Sequence, residues 1–404
     1  MSTSTAPLGP RAAELAVDPV AYALALREHL ADNSADYDRW RGHEPMTVAE
    51  RNHHHAALLR ALHDDGGWTR YGWPEPAGLG GDPRHRAALY DELSSAGLPV
   101  PDQCLVLETL GNPVVHFAPT LAAEVMPALF TGAQWWGQGF SEPEAGSDLA
   151  ALRCRARRDG DHYVVSGQKL WMSFGATAHR FVCLVRTGTP EARHRGLTML
   201  MIDADAPGVS RRPVALASGQ EEVSEVFFDD VRVPLSRAIG AEDQGWAVAM
   251  YLLQFERSMF AWQSAGIALR RLRDLRDRLA SSGTPLPDGT TSRLGSTYAD
   301  IVTLRSRSAA TIRRLAAGDT VGPEASVDKI LLATVETGLH DLARDALGAD
   351  FLLADPQDPH ALDSTAWRAE WWYSRSSTIL GGSAEVQRTI LADHVLGLPQ
   401  ESSR

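Results

Sequence analysis

The chain has 404 residues, enough for two or three domains and a large apolar core. Its formal charge of −12 argues against a nucleic-acid partner, which needs a basic face. An apolar content of 44% with 22% charged residues excludes a disordered or fibrous chain.

No apolar run approaches the length of a membrane span. The start, MSTSTAPLGPRAAELAVDP, lacks a signal peptide's apolar stretch and carries Glu14 and Asp18, so a cytoplasmic location is expected. Cys104, Cys154 and Cys183 lie far apart without a CxxC pair, which predicts reduced core residues. Lys169 and Lys329 are the only lysines, a skew that reflects a GC-rich bacterial genome more than a function.

Residues 11–135 are predicted to be mainly helical. PVAYALALREHLAD and TVAERNHHHAALLRALHDDG carry apolar residues at three- and four-residue spacing, and GWPEPAGLGGDP (72–83) interrupts them as a Pro/Gly loop. His53-His54-His55 point in different directions about a helix axis, so a solvated face is expected there and no metal site. After residue 136 the period shortens. CRARRDGDHYVVSGQKLWMS predicts a hairpin turning at Asp159-Gly160, with further strands in RFVCLVRTG, GLTMLMIDAD and SEVFFDDVRVP. Helix returns at 243–281, about 290–318, 324–349 and 383–396, with a polar connection at 354–367. The plan is segregated, with domains expected at 1–135, 136–240 and 241–404. GLGGDP and ILGGSAE follow no strand, so neither is a dinucleotide fingerprint.

The helix from Asp243 holds an oddity. Ala249, Leu253, Phe260 and Ile267 form an apolar stripe, and Glu256 falls on it. A carboxylate there is either half of a structural ion pair or a group whose proton affinity is raised by desolvation, fit to act as a general base. Arg257 follows directly and faces either a ligand or solvent.

GQGFSEPEAGSDLA, SGQKLWMS, HRGLTMLMID, EVFFDDVRVP, GWAVAMYLLQFER and ILGGSAEVQRTILADHVLGLP together resemble the signature segments of the flavin-dependent acyl-CoA dehydrogenases. WPEPAGLGG is similar to that family's N-terminal loop, and the resemblance runs from about residue 40 to 399. It implies an N-terminal helical domain, a middle β-barrel-like domain and a C-terminal helical bundle. It also implies FAD, an acyl-CoA or acyl-carrier thioester as substrate, and an electron-transfer flavoprotein as acceptor. A homotetramer, dimer or heterotetramer is expected, with no nucleic acid and no membrane span.

By the same resemblance, Gln138 to Ser147 line FAD, with Phe140 and Ser141 at the ring and Ser147 also near the acyl-CoA. Trp171 and Ser173 cover the flavin, and Gly382, Ser383 and Glu385 match a later FAD-contacting stretch. Arg257 and Gly382 join Ser147 on the substrate side. The family places its catalytic carboxylate either just before the glycine of the C-terminal motif, here Gly381, or on the first long helix of the bundle immediately before an arginine, here Glu256-Arg257. Glu256 is therefore expected to be the base, and the Gly381 N–H to hold the thioester oxygen.

The pattern departs at the FAD diphosphate. In the family an arginine and a QxxGG-type segment of a neighbouring subunit grip it; here the aligned arginine position holds Thr291, Arg293 two residues later is the expected FAD contact, and no QxxGG segment precedes residue 379. Two alternatives stay open: a flavin-poor partner subunit of a heteromeric dehydrogenase, or an oxidase or carrier-protein thioester dehydrogenase of natural-product biosynthesis.

Overall fold

The computed structural model describes residues 10–41, 47–283, 285–353 and 361–399. The N-terminal helices are α1 (Pro10–Val17), α2 (Pro19–Asp32), α3 (Ser34–Tyr37), α4 (Val48–Asp64), α5 (Pro83–Ser95), α6 (Asp102–Val106), α7 (Asn112–Phe117) and α8 (Pro119–Phe130). Local chemistry sets several starts. The Asp18 carboxylate accepts from the Val20 N–H with Pro19 in the first turn, and Thr47 and Glu50 form a reciprocal cap on α4. Asp82 likewise caps α5, after the Pro/Gly loop predicted at 72–83.

Eight strands form one sheet: β1 (Trp136–Gly139), β2 (Arg155–Asp159), β3 (His162–Ser173), β4 (Arg180–Arg186), β5 (Leu197–Asp203), β6 (Val209–Val214), β7 (Val223–Pro234) and β8 (Ala238–Ile239). Their order is β6-β7-β3-β2-β4-β5-β8, with β1 running parallel to β4. The hairpin residues between β2 and β3 are Gly160-Asp161, because Asp159 itself pairs with His162. The expected turn is thus displaced by one residue, and Gly160 takes the left-handed conformation it requires, with φ 62°. Strands β4 and β5 are buried on both faces, which is why their sequences read as unbroken apolar runs.

The C-terminal helices are α9 (Gly245–Ser281), α10 (Thr290–Ala316), α11 (Ser326–Leu347), α12 (Ala349–Leu352), α13 (Ala361–Ser374) and α14 (Ala384–His394). Of the polar connection expected at 354–367, residues 354–360 lie outside the described residues, and the remainder is already helix α13. Helix α9 is the axis of this region and packs on α10, α11, α5 and β5. A Cβ at Gly245 would stand 2.7 Å from the Thr198 backbone, so a glycine lets the helix start directly against β5.

Two expectations need correction. His55 is buried and its Nδ1 accepts from the Asp102 N–H at 3.1 Å, so the histidine run is not wholly a solvated face. Around Glu256 on α9, Val248, Ala249, Leu252, Gln254, Phe255, Ser258 and Met259 are buried, while Leu253, Glu256, Phe260 and Ile267 are half-buried. Beyond the buried Ala249, the stripe carrying Glu256 therefore flanks the dry core. It borders the turn at Gly381.

Candidate active site

Strand β1 carries QWWGQG to the head of the small-residue loop. A Cβ at Gly137 would meet the Met172 sulfur at 2.9 Å, and one at Gly139 would collide with the Cys183 sulfur. Close packing on β3 and β4 thus accounts for these two glycines. Beyond them the Lys169 ammonium, itself buried, donates to the Phe140 carbonyl at 3.1 Å and pairs with the Glu142 carboxylate at 2.7 Å. The Arg153 and Cys154 N–H groups donate to the same carboxylate at 2.6 and 2.9 Å. Glu142 and Ala145 exchange backbone bonds, and the Leu170 N–H donates to the Ser141 carbonyl at 2.9 Å. Of the three carboxylates crowded there, one is a buried anchor. Glu144 and Asp148 are exposed and pair with Arg153 and Arg193.

That anchoring leaves Gly146 and Ser147 exposed, with open space where a Gly146 Cβ would stand. The Phe140 ring is buried in the core, so a ligand at this position would meet its backbone. Ser141 is half-buried. On β3 the ladder to β7 slips between Lys169 and Met172. Trp171 occupies that bulge with φ 61° and is 56% exposed, while Met172 beside it is fully buried. A bulge re-aims a side chain, and here it turns a large indole out of the core. Ser173 is half-buried at the end of the same strand.

Glu256 approaches from α9. Its carboxylate accepts from the Gln138 side-chain amide of β1 at 3.5 Å. An ideal Cβ built on Gly381 would stand 2.7 Å from Glu256 Oε1. The two places from which the resemblance expects a catalytic carboxylate thus converge on one point. Gly381 has φ 66° and Gly382 has φ 97°, conformations that suit glycine, and a Cβ on Gly382 would collide with the Gln387 amide. That amide donates to the carbonyls of both glycines at 3.3 Å, which fixes the turn. The Gly381 N–H donates to no acceptor among the described residues.

Burial pushes the Glu256 carboxyl above the usual carboxylate range, while the charges of Arg257 and Lys329 and the Gln138 amide hold it down. Burial also pushes the half-buried Arg257 down, and its Nε has no hydrogen-bond partner. Lys329 on α11 is buried and donates to the Ser377 carbonyl. Glu336, on the same helix, is pushed up to about 7 by burial.

The remaining expected residues divide. Ser383 caps α14 by accepting from the Val386 N–H, and Glu385 is exposed in that helix's first turn, both next to the glycine turn. Arg293 is not brought to the cluster. It pairs with Asp345 at 2.8 Å; the eight residues from 282 to 289 are too few to run back along α9, so α10 is antiparallel to it, with Arg305 against Trp262. By helix rise, Arg293 then lies about 25 Å from Glu256. Lys169, Gln387, Lys329 and Glu336 are not among the sequence-predicted site residues, and Glu142, within the 138–147 stretch expected to line FAD, is the buried anchor of that loop. The one signal for the lysines was their scarcity in a chain that otherwise uses arginine.

Comparisons with known proteins place the sequence and the fold. The family models "Acyl-CoA dehydrogenase, middle domain" and "Acyl-CoA dehydrogenase, C-terminal domain" match residues 137–231 and 243–396. The chain is 35% identical over 341 residues to acyl-CoA dehydrogenase IpdE1 of Mycobacterium tuberculosis, covering 83% of this chain and 86% of that protein. The solved Tcur3481-Tcur3483 steroid ACAD superposes with TM-score 0.79 at 25% identity, covering 94% of this chain and 98% of that one. The ChsE4-ChsE5 complex from M. tuberculosis superposes with TM-score 0.74 at 26% identity, covering 99% and 100%.

Proposed function

Because the chain belongs to the acyl-CoA dehydrogenase family, we propose that it oxidises an acyl-CoA to the trans-2-enoyl-CoA, with Glu256 as the base that takes the α-proton. The observation that carries this reading is the Glu256 carboxylate standing 2.7 Å from a would-be Cβ on Gly381. A carboxylate whose proton affinity is raised by burial is suited to abstract a weakly acidic proton. The unspent Gly381 N–H is suited to receive the charge that develops on the thioester oxygen as that proton leaves.

The residues present fit FAD. Trp171 is turned outward on a bulge, space is open over Gly146, and Gly381 and Gly382 leave room without side chains. Gln138, the Phe140 backbone, Ser141, Ser147, Trp171, Ser173, Gly382, Ser383 and Glu385 would hold it, with Arg293 reaching a neighbouring subunit's FAD from the far end of the bundle. When bound, FAD supplies the acceptor for the β-hydride. Ser147, Arg257 and Gly382 are assigned to the thioester side, and Trp171 to excluding water. An external acceptor such as electron-transfer flavoprotein would take the electrons. No helix among the described residues is long and apolar enough to cross a membrane, and a cytoplasmic location fits this chemistry.

The paired names of the two structural relatives favour a heteromeric assembly, and the steroid relative favours a bulky alicyclic acyl group. Under this reading the purified protein, alone or with its partner, shows a flavin absorption band. Anaerobic addition of butyryl-, isovaleryl-, octanoyl- and steroid-carboxyl-CoA bleaches that band with at least one member. A flavin-free protein that stays so in complex would overturn the reading. So would a flavin that no thioester reduces.

A further inference from the structure

Lys329 is one of two lysines in the chain, and it lies on α11 with only 5% of its surface exposed. Its ammonium donates to the Ser377 carbonyl, just ahead of the glycine turn. Its Cε stands 3.3 Å from the would-be Cβ on Gly381, and Glu256 Oε1 stands 2.7 Å from the same point. The lysine and the carboxylate are therefore no farther apart than those two lengths laid end to end. This is close enough for strong attraction in a partly dry site, yet no direct ion pair forms between them. The other lysine, Lys169, pairs directly with a carboxylate and anchors a loop. Lys329 is instead held by a neutral carbonyl, so its charge is not consumed by a contact ion pair.

The chemistry of the side chain matters here. A guanidinium presents a rigid fork that grips a carboxylate through two parallel bonds, and a base so gripped would be a poor proton acceptor. An ammonium tethered to a backbone carbonyl acts as a nearby point charge and leaves the carboxylate lone pairs free. In a chain whose other basic side chains, Lys169 apart, are arginine, a lysine here has a specific use.

We propose that Lys329 is the positioning residue of the active site, keeping Glu256 ionised and turned toward the glycine turn while leaving it free to accept a proton. The inference rests on the reading of Glu256 as the base. The charged groups around the pair are few. Glu256 faces Arg257 on its own helix and Lys329 across from it, and the neutral Gln138 amide reaches it from β1. Lys329 faces Glu256 and Arg257 on α9 and Glu336 on α11. Glu336 in turn faces Glu370 on α13 and the side chains of Ser264 and Ser377.

The test is the pH dependence of anaerobic flavin reduction in the holoenzyme. The probe is whichever of butyryl-, isovaleryl-, octanoyl- or steroid-carboxyl-CoA reduces the wild type fastest. Lys329→Met and Lys329→Gln remove the charge, and the glutamine keeps a neutral hydrogen-bond donor on the side chain. Each is expected to move the acidic limb of the profile upward by one pH unit or more. Lys329→Arg keeps a charge and should return the limb to its wild-type position or below, with a lower maximal rate. A structural lysine would lower rate and flavin content at all pH values without moving the limb. An unmoved limb in a flavin-retaining Met or Gln variant overturns the proposal, as does loss of flavin in both. Glu256→Gln separates the two readings: wild-type reduction there removes the base itself, whereas an inert Glu256→Gln beside an unmoved Lys329→Gln limb removes only the role of Lys329.

Discussion

Glu256 and Gly381, which lie 125 positions apart in the chain, meet so closely that a Cβ on residue 381 would stand 2.7 Å from Glu256 Oε1. A side chain at residue 381 and the resident Glu256 carboxylate therefore cannot both keep these places.

A relocation experiment follows from that convergence. Glu256→Gly should cost about 10²–10⁴-fold in flavin reduction, the usual contribution of a general base. Adding Gly381→Glu to that variant should recover at least about tenfold of the loss, despite a left-handed φ that costs a side chain about 1–2 kcal/mol. Gly381→Glu alone should impair the enzyme, because its Cβ intrudes on the resident carboxylate. Stopped-flow absorbance on the three variants decides. A double variant no faster than Glu256→Gly would contradict the convergence.

Lys169 is expected to matter for the loop rather than for the reaction. Lys169→Met leaves the Glu142 carboxylate buried with two backbone donors but no cation. Breaking a buried pair costs about 3–5 kcal/mol, and the lower figure applies because those donors remain. Urea unfolding reads the stability, and FAD occupancy after dialysis should fall with it. An unchanged unfolding midpoint would count against the anchor.

Trp171→Ala should behave in the opposite way. The indole is 56% exposed, so its loss should change stability by no more than about 0.5 kcal/mol. Flavin retention should nonetheless weaken. Equal FAD content before and after dialysis would show that the bulge serves something other than the cofactor.

Glu336 gives a stability signature with a definite sign. Its carboxyl is raised from 4.5 to about 7 in the folded protein, mainly by burial. Between those values the unfolded chain is ionised while the native one holds its proton, so native stability falls as pH rises. Glu336→Gln removes that penalty. The stability gap between variant and wild type should therefore widen from pH 5 to pH 8, by about 1–2 kcal/mol for a half-buried group. A gap that is the same at both pH values would contradict the raised proton affinity.

Much of this architecture was legible in the sequence because its periods are strong. The helices at 245–281 and 326–347 and the apolar strands at 180–186 and 197–203 lie where their spacing predicts. The short strand β1 was hidden because it is glycine-rich and pairs with a strand some forty residues later. Glu256 was visible as a carboxylate on an apolar stripe, although that stripe proved to be a half-buried flank. The convergence of Glu256 with Gly381, the grip of Lys169 on Glu142 and the reach of Lys329 were not visible. They depend on which side chains meet across elements far apart in sequence, and no local pattern encodes that.

The most direct test of Glu256 as the proton acceptor is anaerobic bleaching of the bound flavin in Glu256→Gln, which removes the carboxylate and preserves the shape. The variant is expected to retain FAD and to show no bleaching with the acyl-CoA that fully bleaches the wild type. Bleaching at a near-normal rate would contradict the account.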